Sequence, residues 1–134
     1  MRVKPLGIYH NLEIIFAQMN GLYFEEQIRA QIIWGRQIRA RSRAFRSIRL
    51  GSYCPQKKLI TIHPALDQAC VPRVCVERVV FHEMLHQKHE QNLRKTKRIH
   101  TRAFLDEERR FTHLETADTW FKHNLNRVLN VKKI

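Results

Sequence analysis

The feature that most constrains this chain is the segment His82-Glu83-Met84-Leu85-His86, which reads as H-E-x-x-H. In a helix, side chains four residues apart lie on one face, about 5–6 Å from each other. His82 and His86 can then bind the same metal ion, with Glu83 close enough to contact a water on that metal. Two nitrogen ligands, one base and room for a water are what a zinc hydrolase needs.

The residues around the motif predict that it lies on a buried helix. This helix is expected to run from about Pro72 to His89. Apolar side chains fall on several of its sides, which is typical of a helix packed in a core rather than on a surface. They are Cys75, Val76, Val79, Val80, Phe81, Met84 and Leu85. Buried histidine and glutamate need partners, because unpaired buried polar groups are costly, and a metal would satisfy them. A helix that matches the motif by chance remains the alternative.

Apolar spacing and turn residues predict the element order α-β-β-β-α-loop-α-α. The expected elements are a helix over residues 8–20 ended by Asn20-Gly21, strands over 31–34, 44–53 and 58–63, a short helical turn over 65–70, the motif helix, a loop over 91–99, a helix from His100, and a last helical segment from Leu114 to Leu129. Consecutive strands with short links favour a small three-stranded antiparallel sheet covered by helices, which is class α+β. The length fits a single domain over residues 1–134.

The composition supports a folded protein that stays in the cytoplasm. Hydrophobic residues make up 43% of the chain, enough for a core, and no apolar run approaches the length of a membrane span. The N-terminal residues lead into no long apolar stretch, so no signal peptide is expected. Cys54, Cys70 and Cys75 lack the spacing of a zinc ribbon and are interpreted as small buried residues in a reducing compartment.

The formal net charge of +13 predicts attraction to polyanions, of which nucleic acid is the commonest in a cell. An acid-free stretch carries six arginines suited to phosphate contacts: Arg36, Arg39, Arg41, Arg43, Arg46 and Arg49. A second basic cluster follows the motif helix: Arg94, Lys95, Lys97, Arg98 and Arg102. A solvated basic surface without a specific partner remains the alternative.

A catalytic zinc commonly takes three protein ligands, so a third ligand must come from beyond the motif. His89 could share the face of the motif histidines, although the helix axis makes it hard for all three to meet one ion. His100 follows the basic loop and opens a new helix that the following Ala103 and Phe104 would anchor by burial. The loop gives His100 the freedom to fold back on the metal.

Several segments, taken in order, resemble the SprT-like family of zinc metallopeptidases, which includes the Spartan-type proteases. They are Leu22-Tyr23-Phe24, Ile33-Trp34, Gly51 followed by Ile60 to Leu66, the H-E-x-x-H motif, and Ile99 to Phe104. The resemblance implies a minimal zincin-like domain in which His82, His86 and His100 bind one Zn2+ and Glu83 is the general base. The chain departs from the family at Ile99 and Thr101, where Gly is frequent, and no C-terminal zinc ribbon is expected.

This resemblance implies peptide-bond hydrolysis, and the basic character of the chain fits a protein substrate associated with or crosslinked to DNA. Two other functions stay open. One is a nucleic-acid-binding module whose zinc is structural or absent, and the other is a zinc hydrolase that acts on a non-protein amide. The group that stabilises the oxyanion is also open, with Tyr23, Tyr53, His113 and several arginines as candidates.

Overall fold

The computed structural model describes residues 6–36, 49–90 and 100–129, and in this part the chain is of class α+β. It contains four helices and three strands: α1 (Leu12–Tyr23), β1 (Gln31–Trp34), β2 (Gly51–Cys54), β3 (Leu59–Ile62), α2 (Arg73–Lys88), α3 (Arg102–Glu108) and α4 (Leu114–Leu129). This order confirms the predicted order of helices and strands. The predicted loop over 91–99 lies outside the described residues.

The three strands form a mixed sheet in the order β1-β3-β2. β2 runs antiparallel to β3, with Gly51 opposite Ile62. β1 runs parallel to β3, with Trp34 opposite Ile62, so the prediction of a fully antiparallel sheet is wrong. Residues 35–58, between β1 and β3, are long enough for the crossover that a parallel pair requires. The order of the strands in the sequence therefore does not decide whether β1 pairs with β2 or with β3.

The bounds of β1 and β3 agree with the predicted ones to within a residue. β1 matches the predicted strand over 31–34, and β3 is one residue shorter at each end than predicted. β2 runs from Gly51 to Cys54, so it starts two described residues later than the predicted strand over 44–53, of which residues 44–48 lie outside the described residues. A 3-10 turn over Pro64–Leu66 replaces the predicted helical turn over 65–70.

Helix α1 begins and ends later than the apolar spacing predicted. Its start is set by Asn11, whose side-chain oxygen accepts hydrogen bonds from two N–H groups of the first turn, at 3.0 and 3.3 Å. The Asp67 carboxylate accepts hydrogen bonds from the backbone N–H groups of residues 8–10 and holds them ahead of the helix. Asn20 does not end the helix, because its buried side chain bonds to the backbone of Ile28 instead.

Helix α2 is central and contacts α1, α3, α4, β2 and β3. Its buried residues lie on several sides, which confirms the buried helix predicted from the sequence: Cys75, Val76, Glu77, Val79, Val80, Phe81, Glu83, Met84 and Leu85. Of the free cysteines, Cys75 is buried but Cys70 is exposed, contrary to the prediction. Within residues 6–36, 49–90 and 100–129, no helix is long and apolar enough to cross a membrane.

Candidate metal centre

The two motif histidines lie one turn apart on α2, as the H-E-x-x-H spacing predicted. The ring centroids of His82 and His86 are 4.9 Å apart, and the rings meet edge to face. Both side chains line a cleft that also contains Glu83 and His100. The sequence-predicted site residues on α2 therefore share one opening.

His100 lies beside the motif histidines and completes a cluster of three. One ring nitrogen from each histidine lies within 4.8 Å of the other two. The Nε2 atoms of His82 and His100 are 3.2 Å apart. A tetrahedral zinc with Zn–N bonds of about 2.0–2.1 Å separates neighbouring ligand nitrogens by about 3.3 Å. This donor set therefore fits a zinc ion.

The start of α3 holds His100 in this position. Thr101 caps the helix, because its hydroxyl accepts a hydrogen bond from the Phe104 N–H at 3.2 Å. The Phe104 ring is fully buried and packs against the rings of His86 and His100, with centroids 4.8 and 4.9 Å away. Burial of Phe104 thus anchors the segment that presents His100.

His89, the other candidate for the third ligand, is engaged elsewhere. Its Nε2 lies 2.7 Å from Oε1 of Glu107, whose Oε2 also pairs with Lys88 at 2.5 Å. Burial opposes the charge of Glu107, but the hydrogen bonds from Lys88 and His89 outweigh it and lower the pKa of this carboxyl. Since His89 is not part of the nitrogen cluster, the geometry selects His100.

The electrostatics of the cluster keep two of its imidazoles neutral. Burial lowers the pKa of His86 to about 3, and the charges of His82 and His100 act in the same direction. Burial also lowers the pKa of His100. A neutral imidazole has the free lone pair that a metal ligand needs.

Glu83 is a buried carboxylate without a hydrogen bond to any described residue. It is only 5% exposed, and its Oε1 lies 4.0 Å from Nε2 of His86. Burial raises the pKa of Glu83 to about 7, against the opposing effect of the His82 and Arg49 charges. No hydrogen bond to a described residue offsets this burial, and the carboxylate opens into the cleft beside the nitrogen cluster.

A cleft of about 460 Å³ opens over these groups, between β2, α2 and α4. β2 passes close to the glutamate of the H-E-x-x-H motif: a Cβ atom on Gly51 would lie 3.0 Å from Oε2 of Glu83 and 2.9 Å from Val79. Glycine is needed at this approach. Side chains two residues apart in an extended strand point the same way, which is consistent with Arg49 and Tyr53 also lining the cleft.

The arginines predicted to bind nucleic acid divide into three groups. Arg49 lines the cleft, whereas Arg36 is exposed just after β1 and does not. Arg39, Arg41, Arg43 and Arg46 lie outside the described residues, as does most of the second basic cluster. Of the two described arginines of this stretch, the structure brings Arg49 to the cleft that contains the histidine cluster.

Among the groups considered for oxyanion stabilisation, only some reach the cleft. The Tyr53 hydroxyl donates to Glu90 at 2.9 Å and accepts a hydrogen bond from Gln87 at 3.2 Å, so it is already engaged. Tyr23 packs against core aromatic rings, and neither Tyr23 nor His113 lines the cleft. Arg49 lines the cleft and makes no hydrogen bond or ion pair with a described residue.

Sequence reasoning missed Glu108. This residue is 8% exposed, and its Oε2 lies 2.5 Å from Nδ1 of His82 and 2.6 Å from Nη1 of Arg78. Burial opposes its charge, but hydrogen bonds from His82 and Arg78 outweigh burial and lower the pKa of Glu108 to about 2. The available signal was its position four residues after Phe104, on the same face of α3.

Comparisons of this chain with protein-family models, with curated proteins and with solved structures find no match. The resemblance to SprT-like metallopeptidases, which rests on the segments named above, therefore stays a prediction. The geometry of His82, His86, His100 and Glu83 itself supports a metal centre.

Proposed function

We propose that this chain is a zinc-dependent metallopeptidase of the SprT-like type that hydrolyses peptide bonds. The observation that carries the proposal is Glu83: a buried carboxylate without a hydrogen bond, placed beside three histidine nitrogens within 4.8 Å of one another. Such an arrangement costs stability unless a cation is present. Its position in a cleft supports a catalytic role.

Zinc held by His82, His86 and His100 would act as a Lewis acid, polarising the scissile carbonyl and lowering the pKa of water toward neutrality. The Glu83 carboxylate accepts a proton from the attacking water and delivers it to the leaving amine as the C–N bond breaks. In the metal-free protein burial raises the pKa of Glu83 to about 7, so this carboxyl takes up a proton more readily than an exposed glutamate does.

Arg49 is the cation that we assign to the developing oxyanion. The other arginine of the cleft, Arg78, is committed to ion pairs with Glu108 at 2.6 Å and Asp118 at 2.9 Å. Arg49 has no such partner among the described residues, and it lines the same cleft as Glu83. A fixed positive charge facing the reacting carbonyl stabilises the transition state more than the ground state.

The test of this function combines metal content with hydrolysis of an unfolded protein substrate. Wild-type protein should hold about one zinc per chain and cleave the substrate. Glu83→Gln should keep the zinc and lose the cleavage, because it retains the shape of the side chain but cannot carry the proton. Zinc-loaded wild type that cleaves neither unfolded protein nor peptides would overturn the proposal.

The substrate that we propose is protein associated with or crosslinked to DNA. The support is the formal net charge of +13, which favours long-range attraction to a polyanion. Binding to duplex or single-stranded DNA should weaken steeply between about 50 and 200 mM salt, because each neutralised phosphate releases counterions. Absence of DNA binding at low salt would remove DNA from the proposal and leave the peptidase chemistry standing.

The same charge favours a second candidate, a basic nucleic-acid-binding module in which zinc is structural or absent. This candidate accounts for the arginines but assigns no role to Glu83, whose buried carboxylate would then only destabilise the fold. DNA binding by a protein whose Glu83→Gln variant behaves like wild type in every hydrolysis assay would favour it.

A further inference from the structure

We propose that Glu108 is a positioning residue that fixes the ring of His82 for metal binding, and that Arg78 holds Glu108 in place for this task. This inference rests on the proposed zinc site and adds a residue to it. His82 lies on α2 and Glu108 at the end of α3, so the contact joins the two helices that supply the metal ligands.

The His82 ring is oriented by contacts at both of its nitrogens. Its Nδ1 lies 2.5 Å from Oε2 of Glu108, while its Nε2 lies 3.2 Å from Nε2 of His100. A carboxylate only accepts hydrogen bonds, so the proton of neutral His82 belongs on Nδ1. Nε2 is then left bare on the side of the other two histidines, where a metal requires a lone pair.

Glu108 is itself held in place. Arg78 donates to Glu108 through Nη1 at 2.6 Å and to Asp118 of α4 through Nε at 2.9 Å. The two hydrogen bonds that Glu108 accepts, from His82 and Arg78, keep the carboxylate ionised and fixed despite its burial. Three helices thus converge on the Nδ1 side of one ligand.

The other two candidate ligands differ from His82. Among described residues, no carboxylate oxygen lies within hydrogen-bonding distance of the His86 ring, since Glu83 is 4.0 Å away. Nε2 of His100 lies 3.2 Å from Nε2 of His82, and among described residues no carboxylate hydrogen-bonds to the His100 ring. His82 is therefore the candidate ligand whose ring orientation and basicity are most restrained by a neighbouring carboxylate, that of Glu108, which would not itself bind the metal.

A purely structural role is the rival explanation, since Arg78–Glu108 is also an ion pair between α2 and α3. Helix α2 offers a matched control for it. Glu77 is buried to nearly the same extent, 7% exposed against 8% for Glu108, and pairs with Nε of Arg73 at 3.0 Å. Glu77 does not line the cleft, so its removal breaks a buried ion pair without touching a ligand.

The experiment compares Glu108→Ala, Glu108→Gln and Glu77→Ala in the full chain. Zinc affinity is measured by competition with a chromophoric chelator, and the tautomer of His82 by nitrogen NMR on metal-free protein. We expect Glu108→Ala to weaken zinc binding by about 10–100-fold, the range found for lost outer-shell partners. Glu108→Gln, whose amide oxygen still accepts from Nδ1, should lose less, and Glu77→Ala should stay within about twofold of wild type.

The nitrogen spectrum reports the tautomer of His82, which would not change if Glu108 only joined α2 to α3. Metal-free wild type and Glu77→Ala should hold His82 with its proton on Nδ1, and Glu108→Ala should shift the ring toward the other tautomer. If Glu108→Ala fails to fold, Glu108→Gln carries the comparison. Equal zinc affinities and equal tautomers in the Glu108 and Glu77 variants would overturn the role of Glu108 and leave the zinc site intact. Wild-type protein that takes up no zinc would instead overturn the proposed function, and this inference with it.

Discussion

The two halves of helix α2 each bury a glutamate, and they treat it differently. In the first half, Glu77 is 7% exposed and pairs with Arg73 at 3.0 Å. In the second half, Glu83 is 5% exposed and has no hydrogen-bond partner among described residues. The fold meets the cost of burying a charge at Glu77 and leaves it unmet at Glu83, beside the histidine cluster. Unmet cost, rather than burial, therefore distinguishes the half of the helix that carries the candidate metal ligands.

The largest test of this comparison is the loss of each carboxylate in turn. Glu83→Gln should lower kcat for peptide hydrolysis by about 10²–10⁴, because the proton carrier is gone. Glu77→Gln should leave kcat within a few-fold of wild type, because it breaks only a structural ion pair. Steady-state kinetics on one peptide checks both variants at equal zinc content. Equal losses in the two variants would remove the distinction between the halves.

A second test concerns Arg49, the arginine of the cleft that we assign to the oxyanion. Arg49→Ala should lower kcat by about 10²–10³ with a smaller change in KM, because an oxyanion exists only after attack on the carbonyl. Arg36→Ala removes the same charge from an exposed site outside the cleft and should change kcat little. The assay should use an uncharged peptide, so that attraction of the substrate does not differ between variants. An increase in KM alone would make Arg49 a substrate-binding residue instead.

A third test measures the unmet cost directly, as the pH dependence of stability in metal-free protein. Burial raises the pKa of Glu83 to about 7 from an ordinary value of 4.5. Between these values the Glu83 carboxyl binds more protons in the folded state than in the unfolded state, so its contribution to the free energy of unfolding should fall as pH rises. Relative to Glu83→Gln, the fall should reach up to about 3 kcal/mol above pH 7. Urea unfolding of both proteins at pH 4.5 and pH 8 checks this, and parallel pH profiles would contradict it.

A smaller effect should follow from filling the space between β2 and Glu83. A Cβ atom at residue 51 would lie 2.9 Å from Val79 and 3.0 Å from Glu83, so Gly51→Ala must displace the strand or the carboxylate. We expect kcat to fall by about tenfold, since small misplacements of catalytic groups are costly. Gly21→Ala, at a position in α1 with open space around it, should leave kcat unchanged and stabilise the protein by about 0.5–1 kcal/mol. Similar kinetics for both variants would show that the close approach of β2 does not matter.

The sequence predicted what depends on neighbours along the chain. The burial of α2 and the shared face of His82 and His86 follow from helical spacing, and both are confirmed. His100 was favoured over His89 by the position of His89 on the motif helix, by the loop before His100 and by the resemblance to a family, and the nitrogen cluster supports that choice. The class α+β also followed from the order of local patterns.

What the sequence could not predict depends on contacts between distant residues. The parallel pairing of β1 with β3 is set by the crossover between them, which local patterns do not specify. Glu108 meets His82 across 26 positions, and no motif marks it. The sequence did not distinguish Arg49 from Arg36, whereas in the structure Arg49, just ahead of β2, lines the cleft and Arg36 does not.

The most direct test of the central claim is the zinc content of purified wild-type protein beside His100→Ala and His89→Ala, all prepared with excess metal. The account predicts about one zinc per chain in wild type and in His89→Ala, and loss or marked weakening of binding in His100→Ala. Wild-type protein without zinc, or His100→Ala that binds it as tightly as wild type, would contradict the three-histidine site and the catalytic role of Glu83 that depends on it.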